Sequence, residues 1–207
     1  MKIMLDAGHG INTPGKRSPD GMREFQFNVK VAEYMKQELE QYEDVQVIFA
    51  HDHPSGKRDV PLRERTDKAN KNNVDAYISI HANAYQGKMG SHGGVETYVY
   101  TSRPREANQL AQVVQDNLVK ATGLRNRGVK TANFHVLRET RMTAILIEHG
   151  FMDSNSDLPK LKSDSFRRLC AKTNVQSLAS FYKLKKKPKP TGKLYKVQVG
   201  AFANKSN

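Results

Sequence analysis

The 207-residue chain carries 34 Lys and Arg against 21 Asp and Glu, a formal charge of +13 at neutral pH. That length holds one ordinary domain whose core needs no covalent staples, and the single Cys170 excludes an intramolecular disulfide framework. The charge attracts polyanions in general, but the 8 Tyr and 8 Phe are not interleaved with Lys and Arg in the way that stacking on single strands requires, so nucleic acid is not an expected partner.

The opening "MKIMLDAGHG" meets Asp6 too early to contain the apolar stretch of a secretory signal or a membrane helix, and no later run is long enough to span a bilayer. The expectation is a soluble chain made in the cytoplasm without a signal peptide and without membrane insertion. In chain order, "KIMLD" (2–6) reads as a first strand, rich in apolar and branched residues. Phe25, Val29, Ala32, Met35 and Leu39 then recur at spacings of 4, 3, 3 and 4, which places one apolar stripe along a helix. "VQVIFA" (45–50) is a second strand, and a short helix starts at Pro61 in "PLRERTDKAN". "DAYISI" (75–80) and "GVETYVY" (94–100) are further strands. "PREANQLAQVVQDNLVKAT" carries Leu110, Val113, Val114 and Leu118 on one face and stops before Gly123. "FHVL" (134–137) and "TAILIE" (143–148) complete six strands, and 164–182 forms a last helix that includes Cys170 as a small packing residue.

Strands alternating with helices of this length imply crossover connections. The fold class is therefore α/β: a twisted, mostly parallel six-stranded sheet with helices on both faces. Such a sheet accounts for the unbroken hydrophobicity of "AYISI", which would be buried on both sides. The first unit spans 1–183. Residues 184–193, within "KLKKKPKPTGK", form a basic Pro/Lys linker, and 194–207 open a second, incomplete unit.

Ligand crevices in open sheets form beyond the carboxyl ends of the strands. His9 lies past strand one, between Gly8 and Gly10, which let the backbone turn tightly, and His81 lies past "AYISI". Glu148 ends "TAILIE" on the face of Leu146, with Ile145 and Ile147 opposite, and Glu24 stands where the first helix begins. Two neutral imidazoles and a carboxylate are a common protein set for one catalytic Zn²⁺ with a coordination place left for water, and a second carboxylate nearby serves as general base and then acid. Each residue also has a plainer reading: a hydrogen-bonded structural histidine, a helix-dipole carboxylate for Glu24, a salt-bridged strand end for Glu148. His51 and His53 read as a solvated turn, His92 and His135 as structural, and His149 as pointing to the face opposite Glu148. Arg138 and Arg141 flank the last strand as candidates to hold a substrate carboxylate or sugar.

The stretches "LDAGHG", "MREFQFN", "LRERTDKAN", "AYISIHANA", "GVETYVY" and "VLRETRMTAILIEHGFMDSNSD" resemble, in order and spacing, the zinc-dependent N-acetylmuramoyl-L-alanine amidases of the type 3 amidase family, over residues 1–182. The resemblance implies that His9, Glu24 and His81 bind one zinc ion and that Glu148 is the catalytic acid/base. It further implies an enzyme that hydrolyses the amide between N-acetylmuramic acid and L-alanine in peptidoglycan; a monomer is expected. The loop "INTPGKRSPDGMREF" is similar to bacteriophage and prophage lysins, which are released through a holin or by cell lysis, and anionic wall polymers would attract the basic surface. "LYKVQVGAF" resembles the first strand of a wall-binding SPOR domain. The residues alone leave open a zinc carboxypeptidase acting on stem peptides, or a wall-binding or nucleic-acid-binding protein that has lost its metal.

Overall fold

The computed structural model describes residues 1–188. Among them six strands form one sheet: β1 (Lys2–Ala7), β2 (Gln46–Phe49), β3 (Ala76–Asn83), β4 (Val95–Val99), β5 (Asn126–Thr131) and β6 (Thr143–Phe151), in the order β2-β1-β3-β6-β4-β5. All neighbours are parallel except β4, which runs antiparallel to β6. The strands that carry His9, His81 and Glu148 are thus adjacent and central.

Helices cover both faces, as expected. On one face α1 (Glu24–Leu39), α3 (Arg105–Thr122) and α6 (Asp164–Tyr182) pack on Ile3, Leu5, Ile78, Ile80, Ile145 and Ile147. The stripe from Phe25 to Leu39 is buried here, and Gly123 caps α3 in the left-handed conformation. Cys170 is fully buried, and burial pushes its thiol well above the ordinary range, so it packs and does not react. On the other face α2 (Leu62–Lys71) and the single turn α4 (His135–Arg138) cover Met4, Tyr77, Ala144 and Leu146. A short α5 (Leu158–Lys162) precedes α6.

Four sequence expectations change. "FHVL" is the turn α4, where Val136 and Leu137 plug the second face, and the sixth strand is β5. A short apolar run has no periodicity to separate strand from helix. β5, "NRGVKT", is a half-buried edge strand whose polar composition hides it. His81 lies inside β3 rather than past it, and Glu148 inside β6 rather than at its end, because both strands continue, to Asn83 and Phe151, around a register shift. His51 is buried at 4 % exposure rather than solvated: its Nδ1 accepts the Ala7 N–H at 3.1 Å and its ring lies 4.8 Å from that of Phe49. His53 is exposed, as expected of a turn.

His149 does point away from Glu148. Its Nδ1 donates to the His81 carbonyl at 3.1 Å while Nε2 accepts from Asn174 at 2.9 Å, which ties β6 to β3 and α6 behind the site. At the domain's end, Lys183 closes α6 with φ +55, and the first linker residues turn back on the α1–β2 loop through Glu43 N–H to Lys185 O (2.8 Å) and Lys187 N–H to Gln41 O (2.8 Å). The remainder of the expected linker and the SPOR-like segment 194–207 lie outside the described residues.

Burial lowers both His51 and His149 to about 4. Their folded values lie below the unfolded value, so the unfolded chain takes up protons first: their contribution is whole above about pH 6.5 and is lost as pH falls toward 4. At pH 5 each withdraws on the order of 2 kcal/mol. We expect both imidazole Cε1 resonances to stay in the neutral position at pH 5.5 in an NMR titration; a protonated shift for either ring at that pH would contradict the assignment.

Candidate active site

β1 delivers its last residues to the sheet's rim, where Gly8 N–H continues the ladder to Ile80 O at 3.0 Å. A Cβ on Gly8 would lie 2.0 Å from the His81 ring, and one on Gly10 would lie 2.9 Å from the backbone of Asp59 and Gly56. Both glycines therefore provide space, not an unusual turn. The unusual backbone belongs to His9 itself, whose φ of +66° is left-handed and costs a non-glycine residue on the order of 1 kcal/mol.

Glu24 is the first residue of α1, its N–H bonded to Lys16 O at 3.0 Å, so the helix N-terminus faces its charge. The carboxylate is 3 % exposed and bridges the two imidazoles: Oε1 lies 2.9 Å from His81 Nδ1 and Oε2 3.2 Å from His9 Nε2. One turn along, the Asn28 amide donates to Glu24 Oε1 (3.2 Å) and to Gly8 O (3.1 Å), tying helix and loop together. Burial alone would push the Glu24 carboxyl up, but the hydrogen bonds from His81 and His9 outweigh it and hold the group well below the usual carboxylate range.

One ligand atom from each of His9, Glu24 and His81 lies within 4.8 Å of the others. Two ring nitrogens and a carboxylate oxygen at this separation fit a tetrahedral zinc, whose bonds of about 2.0–2.2 Å set its ligands roughly 3.4 Å apart. Glu148 sits beside them, paired in register with His81 across β3 and β6. Its Oε2 is buried, and no group among the described residues bonds it. Burial raises its carboxyl well above the ordinary range; the His81 charge opposes this and the Glu24 and Glu96 carboxylates add to it.

Glu96, which the sequence reading left inside an apolar strand, faces Glu148 across β4 and β6. It accepts from Arg127 Nε, Tyr98 OH and Asn83 Nδ2, each at 2.7 Å, and from Lys130, so it stays charged. The alternation in "GVETYVY" signals such an inward carboxylate.

A cleft of about 550 Å³ opens over these groups on the α2/α4 face, between Val60–Leu62 on one side and Phe134–Val136 on the other, with Lys16 and Thr13 at its rim. His135 lines it while bonding Thr66 Oγ1 at 3.3 Å; His92 is held by Asp153 at 2.7 Å. Arg138 and Arg141 are exposed and do not line the cleft: Arg138 pairs with Glu139 and Asn133 at 2.7 Å each. The cations that do line it are Lys16, which no motif singled out, and the buried Arg65.

The fold is that of the cell-wall amidases. An N-acetylmuramoyl-L-alanine amidase from Clostridium difficile 630 superposes with a TM-score of 0.81 at 31% identity, covering 88% of this chain and 96% of that one. The family model for N-acetylmuramoyl-L-alanine amidase matches residues 3–180, and the chain belongs to that family. It is 36% identical over 208 residues to the N-acetylmuramoyl-L-alanine amidase CwlM of Bacillus licheniformis, covering 100% of this chain and 78% of the relative. An endolysin of Bacillus phage SPP1 is 34% identical over 192 residues, covering 89% and 67%.

Because the His81 ring occupies the space a Cβ on Gly8 would need, Gly8→Ala should displace that ring while leaving the core folded. On the reading that this donor set holds zinc, affinity measured by chelator competition is expected to fall about tenfold, the scale seen when a metal ligand's orientation is disturbed. Wild-type affinity in the folded variant would contradict this packing.

Proposed function

We propose that this chain hydrolyses the amide bond between the lactyl group of N-acetylmuramic acid and L-alanine in peptidoglycan, with His9, Glu24 and His81 holding one zinc ion and Glu148 as general acid/base. The observation that supports this most is the convergence of three zinc-type donors beside a half-buried glutamate that has an unbonded oxygen, at the floor of an open cleft. Bound zinc supplies Lewis-acid polarisation of the scissile carbonyl and a lowered pKa for water.

The chain's own groups do the rest. Glu148 Oε2 accepts a proton from the attacking water; as the water oxygen bonds the carbonyl carbon and the C–N bond breaks, Glu148 returns that proton to the departing alanine amine. Glu96 keeps a second negative charge behind Glu148, which favours the protonated state that the second step needs. Leu62 and Phe134, 54% and 40% exposed, offer apolar surface to a sugar ring on either side of the cleft. Lys16 contributes positive charge at the rim in place of Arg138 and Arg141.

The net charge of +13 would hold the enzyme on anionic wall polymers, an attraction that salt weakens. In the same proposal, residues 184–193 serve as a basic linker and 194–207 open a SPOR-like wall-binding module. Action as a monomer, after release in the manner of phage lysins, belongs to the same reading.

Glu148→Gln keeps the shape and the ligands but cannot take a proton, so it should retain zinc and lose about 10³-fold in turnover. His81→Ala should lose both. Mass spectrometry of digested cell walls should show stem peptides with new free alanine amines; peptides shortened at their carboxyl ends would indicate a carboxypeptidase instead, and normal turnover in Glu148→Gln would require another base.

A further inference from the structure

The backbone of His9 is held by a closed ring of hydrogen bonds that reaches the cleft wall. Its carbonyl accepts from Arg65 Nη2 at 2.9 Å, and the N–H of the same peptide unit, on Gly10, donates to Thr13 Oγ1 at 2.8 Å. Thr13 OH donates to Asp59 Oδ2 at 2.5 Å, and Asp59 Oδ1 accepts from Arg65 Nη2 at 3.3 Å. The His9–Gly10 peptide is thus gripped at both ends by groups that are bonded to each other.

Arg65 is itself immobile. It is 1 % exposed, and its five N–H donors are matched by five acceptors: Val60 O from Nε, Asp6 Oδ1 and Ala7 O from Nη1, and His9 O and Asp59 from Nη2. Asp6 is locked in turn by Ser79 OH of β3 at 2.9 Å. α2 buries little else, only Thr66 and Ala69, so this helix meets the sheet chiefly through a guanidinium.

We propose that Arg65, Asp59 and Thr13 are positioning residues that fix the left-handed His9 backbone and so aim its imidazole at the metal. None of them supplies a ligand atom to the His9–Glu24–His81 group. Rotation of the His9–Gly10 peptide would swing the ring out of line with Glu24, and each end of that peptide has a partner opposing the rotation. A lysine at 65 has three donors on a flexible stem and cannot reproduce the fork.

The inference rests on His9 being a zinc ligand, and the test separates the two. Thr13 is half-buried at the surface, so Thr13→Val cuts the ring without opening the core. It should weaken zinc binding about tenfold in chelator competition, speed hydrogen exchange of the Gly10 amide, and lower kcat with little change in KM, and Thr13→Ser should restore all three. Arg65→Lys should weaken zinc binding further, up to about 100-fold. Wild-type zinc affinity and Gly10 exchange in Thr13→Val, beside a His81→Ala variant that loses zinc, would overturn the clamp alone. A wild-type protein that binds no zinc would overturn the clamp together with the site.

Discussion

A buried carboxylate shared between two imidazoles organises this molecule's working end. Glu24 is almost without solvent, and an unpaired charge there would be costly. It is stabilised by His9, His81, Asn28 and the N-terminus of its own helix, and these come from the β1 loop, β3 and α1. Neither imidazole finds its place until β1 and β3 have paired and α1 has docked across them. The site is therefore a product of the completed fold, and no short segment contains it.

The two faces of the sheet divide the labour. The α1/α3/α6 face is a broad apolar core in which alternate residues of β1, β3 and β6 are buried isoleucines and leucines. The opposite face has a smaller apolar patch and gives the rest of its area to the cleft, with Asp6, His81 and Glu148 turned toward it. One residue's step along a strand carries a side chain from one environment to the other, which is why Ile147 packs while Glu148 faces the cleft and His149 braces. The Asp6–Arg65 pair serves this face in a second way. It is a buried ion pair, so removing one partner alone should be strongly destabilising, and it links α2 to the strand that delivers His9.

Much of this was legible in the residues. Continuous apolar runs marked β1, β3 and β6 as central, the helical stripes placed α1, α3 and α6, and the parallel crossovers predicted a polar rim where His9, Glu24, His81 and Glu148 now meet. The resemblance of "GHG", "MREFQFN", "SIHAN" and "IEHGF" to a known family points to the same four. What stayed hidden depends on tertiary contact. β5 reads as a loop because an edge strand needs few apolar residues, and "FHVL" mimics a strand because a buried helical turn needs several. Arg65 looks like one more surface charge in a polar helix, since nothing local reveals that its five donors turn inward. His51 looks like a solvated turn residue for the same reason. Arg138 and Arg141 are near β6 in the sequence but not in the cleft lining, whose cations, Lys16 and Arg65, come from distant parts of the chain.

Central to the proposed chemistry is one divalent ion held by His9, Glu24 and His81. Anomalous diffraction at the zinc edge, from crystals of the protein loaded with one equivalent of zinc, tests it most directly. A single peak within about 2.2 Å of two ring nitrogens and one carboxylate oxygen from those residues is the expected result. A peak elsewhere, such as between His51 and His53, or no peak in protein that still cleaves peptidoglycan, would contradict it.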